Sequence, residues 1–122
     1  MTKLGLEIQL DGGDGPYKPG DWVRGRVAVL AGGKSRALNA ELHFRERTSD
    51  YSEVGATFAI PPLHRGDLPS GTSYPFAIQL PADALPSLDW AHGSLSWEVV
   101  AKSDERGFDT VETRRIQVVA AD

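Results

Sequence analysis

The stretch LNAELHFR, residues 38–45, decides the fold of this chain. Its even-numbered residues are apolar, and its odd-numbered residues are polar or charged. Side chains of a β-strand alternate between the two faces of a sheet, so this pattern predicts a strand with one buried and one solvated face. A helix would instead repeat apolar residues every three or four positions.

Six further segments alternate in the same way and are separated by turn-forming residues. They span residues 4–10, 23–29, 54–60, 74–80, 95–101 and about 110–119. Gly, Pro and Asp accumulate between them, and these residues favour turns over continuous strands. The one candidate helical turn, 82–88, is limited by Pro86. Seven short strands in 122 residues predict an all-β fold. We expect one antiparallel, immunoglobulin-like β-sandwich domain of seven to eight strands, residues 1–122.

Single residues add expectations about packing. Gly25 interrupts an apolar face, which predicts that a bulky neighbour occupies the space of the missing side chain. Pro75 lacks an N–H, so its strand should start there or lie at a sheet edge. Trp97 is predicted to lie in the core with its indole N–H bonded to a buried acceptor. Val111 is out of phase with Ile116, which predicts a β-bulge between them.

The composition excludes several classes of partner and location. The formal net charge is −4, with 13 basic and 17 acidic residues, so we expect neither nucleic acid nor an anionic membrane as the main partner. The chain has no Cys and therefore no disulfide or thiolate metal site. No apolar run is long enough to span a membrane, and the first residues lack the apolar core of a signal peptide. We therefore expect a cytoplasmic protein.

Two loops contain residue types used in catalysis. His64 lies close in sequence to Asp67, and His92 lies close to Asp89, with serines near both pairs. Neither loop has a strained nucleophile turn such as Gly-x-Ser-x-Gly. We therefore expect no enzymatic activity.

Acidic residues also gather in two loops, Asp11 with Asp14 and Asp104 with Glu105 and Asp109. Carboxylates from two loops can build a Ca²⁺ site at one end of a sandwich. Neither loop has the spacing of an EF-hand, and acidic residues commonly solvate turns, so we expect no metal and no cofactor. A small-ligand, carbohydrate or Ca²⁺-binding module remains the alternative function.

Three segments, in chain order, resemble motifs of the arrestin-type domain. They are YKPGDWVRGRV (17–27), LPSGTSYPFAIQLP (68–81), and LPS (85–87) followed by SWEVVA (96–101). The resemblance extends over about residues 4–119 and implies a single-domain bacterial member with an arrestin-like sandwich. Known members are mostly adaptors that bind proteins, and most have two sandwich domains where this chain has room for one. The resemblance therefore implies a fold and an adaptor role but no binding residues.

Apolar residues outside the predicted strands are the candidates for contact with a partner. We select Leu63, Trp90 and His92, because Trp is common at interface hot spots, His92 follows Trp90 two positions later, and Leu63 lies between Pro62 and His64. An exposed sheet edge is a second route, since it can pair with a strand of a partner or of a second copy. We expect a non-enzymatic protein-interaction module, an adaptor or scaffold, that binds a protein partner through loops or a sheet edge.

Overall fold

Alternation of apolar and polar residues produces β-strands throughout the chain. The computed structural model describes residues 3–121, in which nine strands form two antiparallel sheets and no helix occurs. The strands are β1 (Gly5–Leu10), β2 (Trp22–Ala31), β3 (Ala37–Thr48), β4 (Ser52–Ala59), β5 (His64–Arg65), β6 (Ser73–Gln79), β7 (Leu88–Trp90), β8 (Gly93–Asp104) and β9 (Thr110–Ile116). The predicted all-β sandwich is confirmed. Residues 1, 2 and 122 of the predicted domain lie outside the described residues.

The two sheets differ in size. The smaller sheet has the order β1-β2-β6. The larger has the order β4-β3-β8-β7, with β5 paired to β3 and β9 paired to β8. Strands β3 and β8, each 12 residues long, pair from Ala37 opposite Asp104 to Thr48 opposite Gly93. This long central pair sets the length of the larger sheet.

The core lies between the sheets and consists of the inward-facing residues of both. Its largest side chains include Leu6, Ile8, Val23, Val27, Leu38, Leu42, Phe76, Ile78, Leu80, Trp97, Val99 and Ile116. Trp97 is buried, as predicted, and its indole N–H donates to the Leu85 carbonyl oxygen at 2.7 Å, in a partly buried hydrogen bond. Burial of this apolar surface is the main force that holds the sheets together.

The single-residue expectations have mixed outcomes. A Cβ on Gly25 would collide with the carbonyl oxygen of Gln9, so this glycine makes room for a backbone group of β1. Pro75 lies in β6, an edge strand, as predicted. The predicted bulge between Val111 and Ile116 is wrong, because β9 pairs with β8 without a register shift. Val111 instead lies with its side chain half exposed.

All seven predicted segments contain strands, and two short strands were not predicted. Strand β5 lies in the turn-rich stretch between the predicted segments 54–60 and 74–80, and β7 lies in the stretch between 74–80 and 95–101, where no alternation occurs. Both form through pairing with a long central strand, β5 with β3 and β7 with β8. Among the described residues, no helix is long and apolar enough to cross a membrane.

Candidate partner-binding surface

The inner face of the larger sheet is uncovered at one end. Along β8, Trp97 is buried, but Leu95, two positions earlier on the same face, is only half-buried. Along β3 burial decreases at the corresponding position of the sheet. Leu42 is buried, whereas Phe44, two residues later, is only half-buried. The smaller sheet therefore stops covering the larger one near Phe44 and Trp97, and the central strands continue beyond it.

Strand β7 adds apolar side chains to this uncovered face. Leu88 lies opposite Leu95 and Trp90 lies opposite Gly93, so both share the face of Leu95. Leu88 is 54% exposed and Trp90 is 42% exposed. A Cβ on Gly93 would lie 2.9 Å from the Trp90 ring, so the glycine allows the indole to lie against the strand backbone.

The hairpin between β3 and β4 forms the rim of the same face. The Thr48 N–H donates to the Tyr51 carbonyl oxygen at 2.8 Å, and the Tyr51 hydroxyl donates to Glu46 at 2.9 Å. The hydrogen bond to Glu46 raises the pKa of Tyr51 above its usual value. Leu85, just before β7, is 57% exposed. We call this surface the overhang; it consists of Tyr51, Leu85, Leu88, Trp90 and Leu95.

A groove of about 310 Å³ continues from the overhang along β4. One wall is formed by β4 and the other by the segment after β6, and the groove is lined by Phe44, Ala56, Phe58, Pro81, Asp83, Ala84, Leu85 and Trp97. The Trp97 ring lies 5.0 Å from Phe44 and 5.8 Å from Phe58 between centroids. We call this the edge groove. Its lining is apolar except for Asp83, and it contains no basic residue.

Strand β4 forms the long open edge beside this groove. In the described part of the chain it pairs only with β3, and one register shift occurs, between Phe44 and Arg45. The other sheet edges are protected against pairing with another chain. Strand β6 contains Pro75, which has no N–H to donate, strand β7 is only three residues long, and strand β1 is in contact with β9. Between β1 and β9 the Arg114 guanidinium donates to the Ile8 carbonyl oxygen at 3.1 Å. Strand β4 is longer than β7 and contains no proline, and the register shift opposite Phe44 and Arg45 is its one edge irregularity of the kind that limits pairing with another chain.

The structure brings two of the three predicted contact residues together. Trp90 lies in β7, not outside the strands as predicted, and exposed His92 follows in the turn to β8. Leu63 lies at the other end of the sheet, where its N–H donates to the Leu38 carbonyl oxygen at 2.8 Å. Thr48, next to the overhang, is ten residues further along β3, or about 33 Å away. A role of these residues in binding stays a prediction.

Sequence reasoning missed Leu85, Leu88, Phe44 and Phe58. Phe44 and Phe58 belong to alternating segments, and their position in an open groove depends on where the facing sheet ends. Leu85 and Leu88 do leave a signal, since they are leucines on either side of Pro86 in a stretch with no alternation.

The residues considered for catalysis have other partners. His64 Nε2 lies 3.1 Å from the backbone carbonyl oxygen of Asp67, while the Asp67 carboxylate accepts the Ser35 N–H at 3.2 Å. Asp89 pairs with Arg115 at 2.9 Å. For these described residues the structure shows no hydrogen bond between the ring of either histidine and the carboxylate of its neighbouring Asp.

The two acidic loops lie at opposite ends of β9. Asp14 pairs with Arg114 near the end of the strand, at 2.9 Å. The Asp109 carboxylate instead accepts the Glu105 N–H, and the Glu105 carboxylate accepts the Thr110 N–H. Within residues 3–121 no group of three or more His, Asp or Glu side chains is arranged to hold a metal ion. The two loops do not form one site.

Charges on the outer face of the larger sheet are paired with one another. Glu98 accepts hydrogen bonds from Arg45 at 3.1 Å and from Arg47 at 2.7 Å, and Lys102 lies 3.6 Å from Glu41. Burial by itself would raise the pKa of Glu98, but the hydrogen bonds from Arg47 and Arg45 outweigh it and hold the pKa below its usual value. This face differs from the overhang, whose exposed surface is mainly apolar.

Comparison with known proteins identifies the fold. No family model matches the chain, and no curated protein matches it in sequence. The chain is similar in structure to Spo0M, the sporulation control protein of Bacillus subtilis, with a TM-score of 0.71 and 22% identity. The similarity covers 99% of this chain and 51% of Spo0M, so the chain spans about half the length of that protein. The architecture is an arrestin-like β-sandwich, in agreement with the resemblance of the sequence motifs.

Proposed function

We propose that this chain is a protein-interaction module, an adaptor or scaffold without catalytic activity. A protein partner binds the overhang. The observation that carries this proposal is the uncovered end of the larger sheet, where Leu85, Leu88 and Trp90 are each more than two-fifths exposed. Contiguous apolar surface of this kind is a common feature of binding sites in soluble proteins.

The overhang has the features of an interface core. Trp90 offers a large apolar ring that is already held against Gly93, so little conformational freedom is lost when a partner covers it. Leu88 lies beside it on the same face of β7. Tyr51 and Glu46 provide polar groups at the margin, as the rim of an interface requires.

The likeness to Spo0M supports a regulatory role exerted through binding. That protein is described as a sporulation control protein, and its likeness to this chain is one of fold. We infer the same general class of role for this chain, and we retain the cytoplasmic location that the sequence predicts.

The test compares proteins retained from a lysate by immobilised wild-type chain and by two variants. Leu88→Asp places a charge in the overhang, and Leu30→Asp places the same charge at a 61% exposed leucine of β2. We expect one or more proteins that are retained by the wild type and by Leu30→Asp but lost with Leu88→Asp. Trp90→Ser should give the same loss as Leu88→Asp.

Thermal melts establish that the three variants are folded before the lysate is applied. Because both leucines are exposed, we expect melting temperatures close to that of the wild type. Identical sets of retained proteins for the wild type and both overhang variants would refute the proposal.

A further inference from the structure

One row of residues crosses the uncovered end of the larger sheet from β4 to β7. Glu53 of β4 lies opposite Glu46 of β3, and Glu46 lies opposite Leu95 of β8. Leu95 in turn lies opposite Leu88 of β7. Residues paired directly across neighbouring strands point to the same side of the sheet, and each strand lies about 4.8 Å from the next. Two carboxylates and two leucines are therefore side by side on one face, within about 15 Å.

The two carboxylates of this row have no cationic partner. Neither Glu46 nor Glu53 forms an ion pair among the described residues. The Tyr51 hydroxyl donates to Glu46 at 2.9 Å. That hydrogen bond is the largest cause of the raised pKa of Tyr51, followed by desolvation and by the negative charges of Glu46 and Glu53. Both charges therefore act on the same side chain of the overhang.

The basic residues closest in sequence lie on the other side of the sheet. Arg45 and Arg47 flank Glu46 along β3, so their side chains point to the outer face, where both donate to Glu98. In the described chain, no Lys or Arg belongs to the overhang or lines the edge groove. Asp83 of the edge groove adds a carboxylate that forms no ion pair within residues 3–121. The uncovered end is thus negative over β3 and β4 and apolar over β7 and β8.

A partner that matches this face needs apolar and basic side chains on the same side, in two adjacent rows. An extended strand laid on the face offers one row, because its alternate side chains point away from the sheet. An α-helix offers both rows, since residues three and four apart form one stripe and neighbouring positions form the next stripe around the helix. Its diameter of about 10 Å spans two strand spacings. The face therefore fits an amphipathic helix whose basic residues flank its apolar stripe.

The length of the uncovered end sets the length of that helix. Trp97 is buried, and β8 extends four residues beyond it to Gly93, which is about 13 Å. At about 1.5 Å per residue, about nine helical residues, or two and a half turns, cover this distance. The apolar stripe then needs about three residues, at the spacing i, i+3 or i+4, and i+7.

A second copy of this chain does not supply such an element. Residues 3–121 contain no helix. A symmetric contact between two overhangs would also bring the carboxylates of both copies into one apolar interface, where unpaired charge is costly.

From these observations, and resting on the proposed function, we propose that the overhang binds an amphipathic α-helix of a partner protein. The apolar stripe of the helix packs on Leu88, Trp90 and Leu95. Lys or Arg residues along one flank of that stripe pair with Glu46 and Glu53.

The test uses four synthetic peptides of about 14 residues, built on alanine, with blocked ends and a stripe of Leu. The first has Lys along one flank of the stripe, and the second has the same residues with Lys on the side of the helix opposite to Leu. In heptad letters, Leu occupies a and d, and Lys occupies e in the first peptide and f in the second. The third has Glu in place of Lys on the flank. The fourth is the first with Pro at its centre, which breaks the helix.

Each peptide is titrated into the ¹⁵N-labelled protein, and the chemical shifts give both the affinity and the amides affected. We expect the first peptide to bind at least about tenfold more tightly than each of the other three. The amides that shift should be those of β7, of the first half of β8 and of the hairpin between β3 and β4. Added salt should weaken binding of the first peptide.

Glu53→Lys tests the charge, with Glu7→Lys on β1 as the matched control. Both replace an exposed carboxylate that makes no ion pair in the described part of the chain, but only Glu53 lies in the row that ends at Leu88. We expect Glu53→Lys to weaken binding of the first peptide about tenfold and to tighten binding of the third. Glu7→Lys should leave both affinities within about twofold.

Several results would each overturn the inference. They are no binding of the first peptide, equal affinity for the first and second peptides, undiminished binding of the peptide with Pro, and equal effects of Glu53→Lys and Glu7→Lys. A free protein that sediments as a dimer, with the amides of the overhang protected, would assign the surface to a second copy instead.

The lysate experiment distinguishes these results from a failure of the proposed function. If Leu88→Asp abolishes retention while the four peptides bind alike, the partner binds the overhang through a surface other than a basic helix. If the first peptide is preferred but no retained protein depends on Leu88, the proposed function fails and the preference of the surface for a basic helix stands.

Discussion

Replacing Glu98 by Gln tests how much the paired charges of the outer face contribute to stability. The Glu98 side chain is 4% exposed and accepts hydrogen bonds from two guanidinium groups. These come from Arg45 Nε at 3.1 Å and from Arg47 at 2.7 Å. Gln has a similar shape but only one acceptor oxygen, so its amide nitrogen would face the second guanidinium as another donor.

The expected loss follows from the geometry and exposure of these groups. A hydrogen bond to a charged group contributes about 1.5–3 kcal/mol. The Arg47 side chain is 43% exposed, so water both screens its interaction with Glu98 and can replace it. We therefore expect the free energy of unfolding to fall by about 1–2 kcal/mol for Glu98→Gln. For a domain of this length the melting temperature would fall by about 4–8 °C.

The pH dependence has a definite sign. Burial tends to raise the pKa of Glu98, the two arginines outweigh it, and the net pKa lies below the usual value. The unfolded chain therefore takes up this proton more readily than the folded one. The contribution of Glu98 is complete at pH values above the unfolded pKa, about 4.3, and is lost as the pH falls through the folded pKa. Gln does not titrate, so the stability difference between the two proteins should shrink in acid.

Urea denaturation at pH 7 and at about pH 3, at low salt, measures this difference directly. Glu112→Gln is the matched control, because this exposed carboxylate of β9 makes no ion pair among the described residues. It should change the free energy of unfolding by less than about 0.5 kcal/mol. Equal stability of Glu98→Gln and wild type at pH 7 would refute the reasoning, and so would a difference that stays constant down to low pH.

Two further predictions concern packing. Gly25→Ala places a methyl group against the Gln9 carbonyl oxygen. The free energy of unfolding should therefore fall by about 1–3 kcal/mol, and the amide hydrogens of β1 should exchange faster. Unchanged exchange in β1 would contradict the close approach of these backbones. Leu42→Ala, in the centre of the core, should cost about 2–5 kcal/mol in thermal or urea unfolding. Phe108→Ser, at a residue that is 99% exposed, should cost less than about 0.5 kcal/mol, and similar losses for both would contradict the assigned core.

The alternation of apolar residues predicted the long strands because each needs only its own sequence to define a buried face. Strands β5 and β7 were missed for the opposite reason. They have two and three residues, which is too short to show an alternation of apolar and polar side chains. They form because their backbones hydrogen-bond to β3 and β8. The prediction of a bulge in β9 was wrong because it assumed that the apolar residue Val111 faces the core.

The candidate site was predicted in part. Trp90 and His92 stood out by residue type and by their place in a segment without alternation, and the structure puts them side by side. Leu63 stood out for the same reason but lies at the other end of β3. Residue type therefore indicated candidate contact residues, without indicating which of them share a surface.

The sequence by itself determined the β class, the segments that form long strands, most of the residues on their buried faces, and the absence of disulfides. Tertiary structure alone decided that the larger sheet extends past the smaller one, that Phe44 and Leu95 lie at this limit, and that β4 is left as an open edge. The physical reason is that a period of two shows which side chains point the same way. Whether they are covered depends on the length and register of strands far away in the chain.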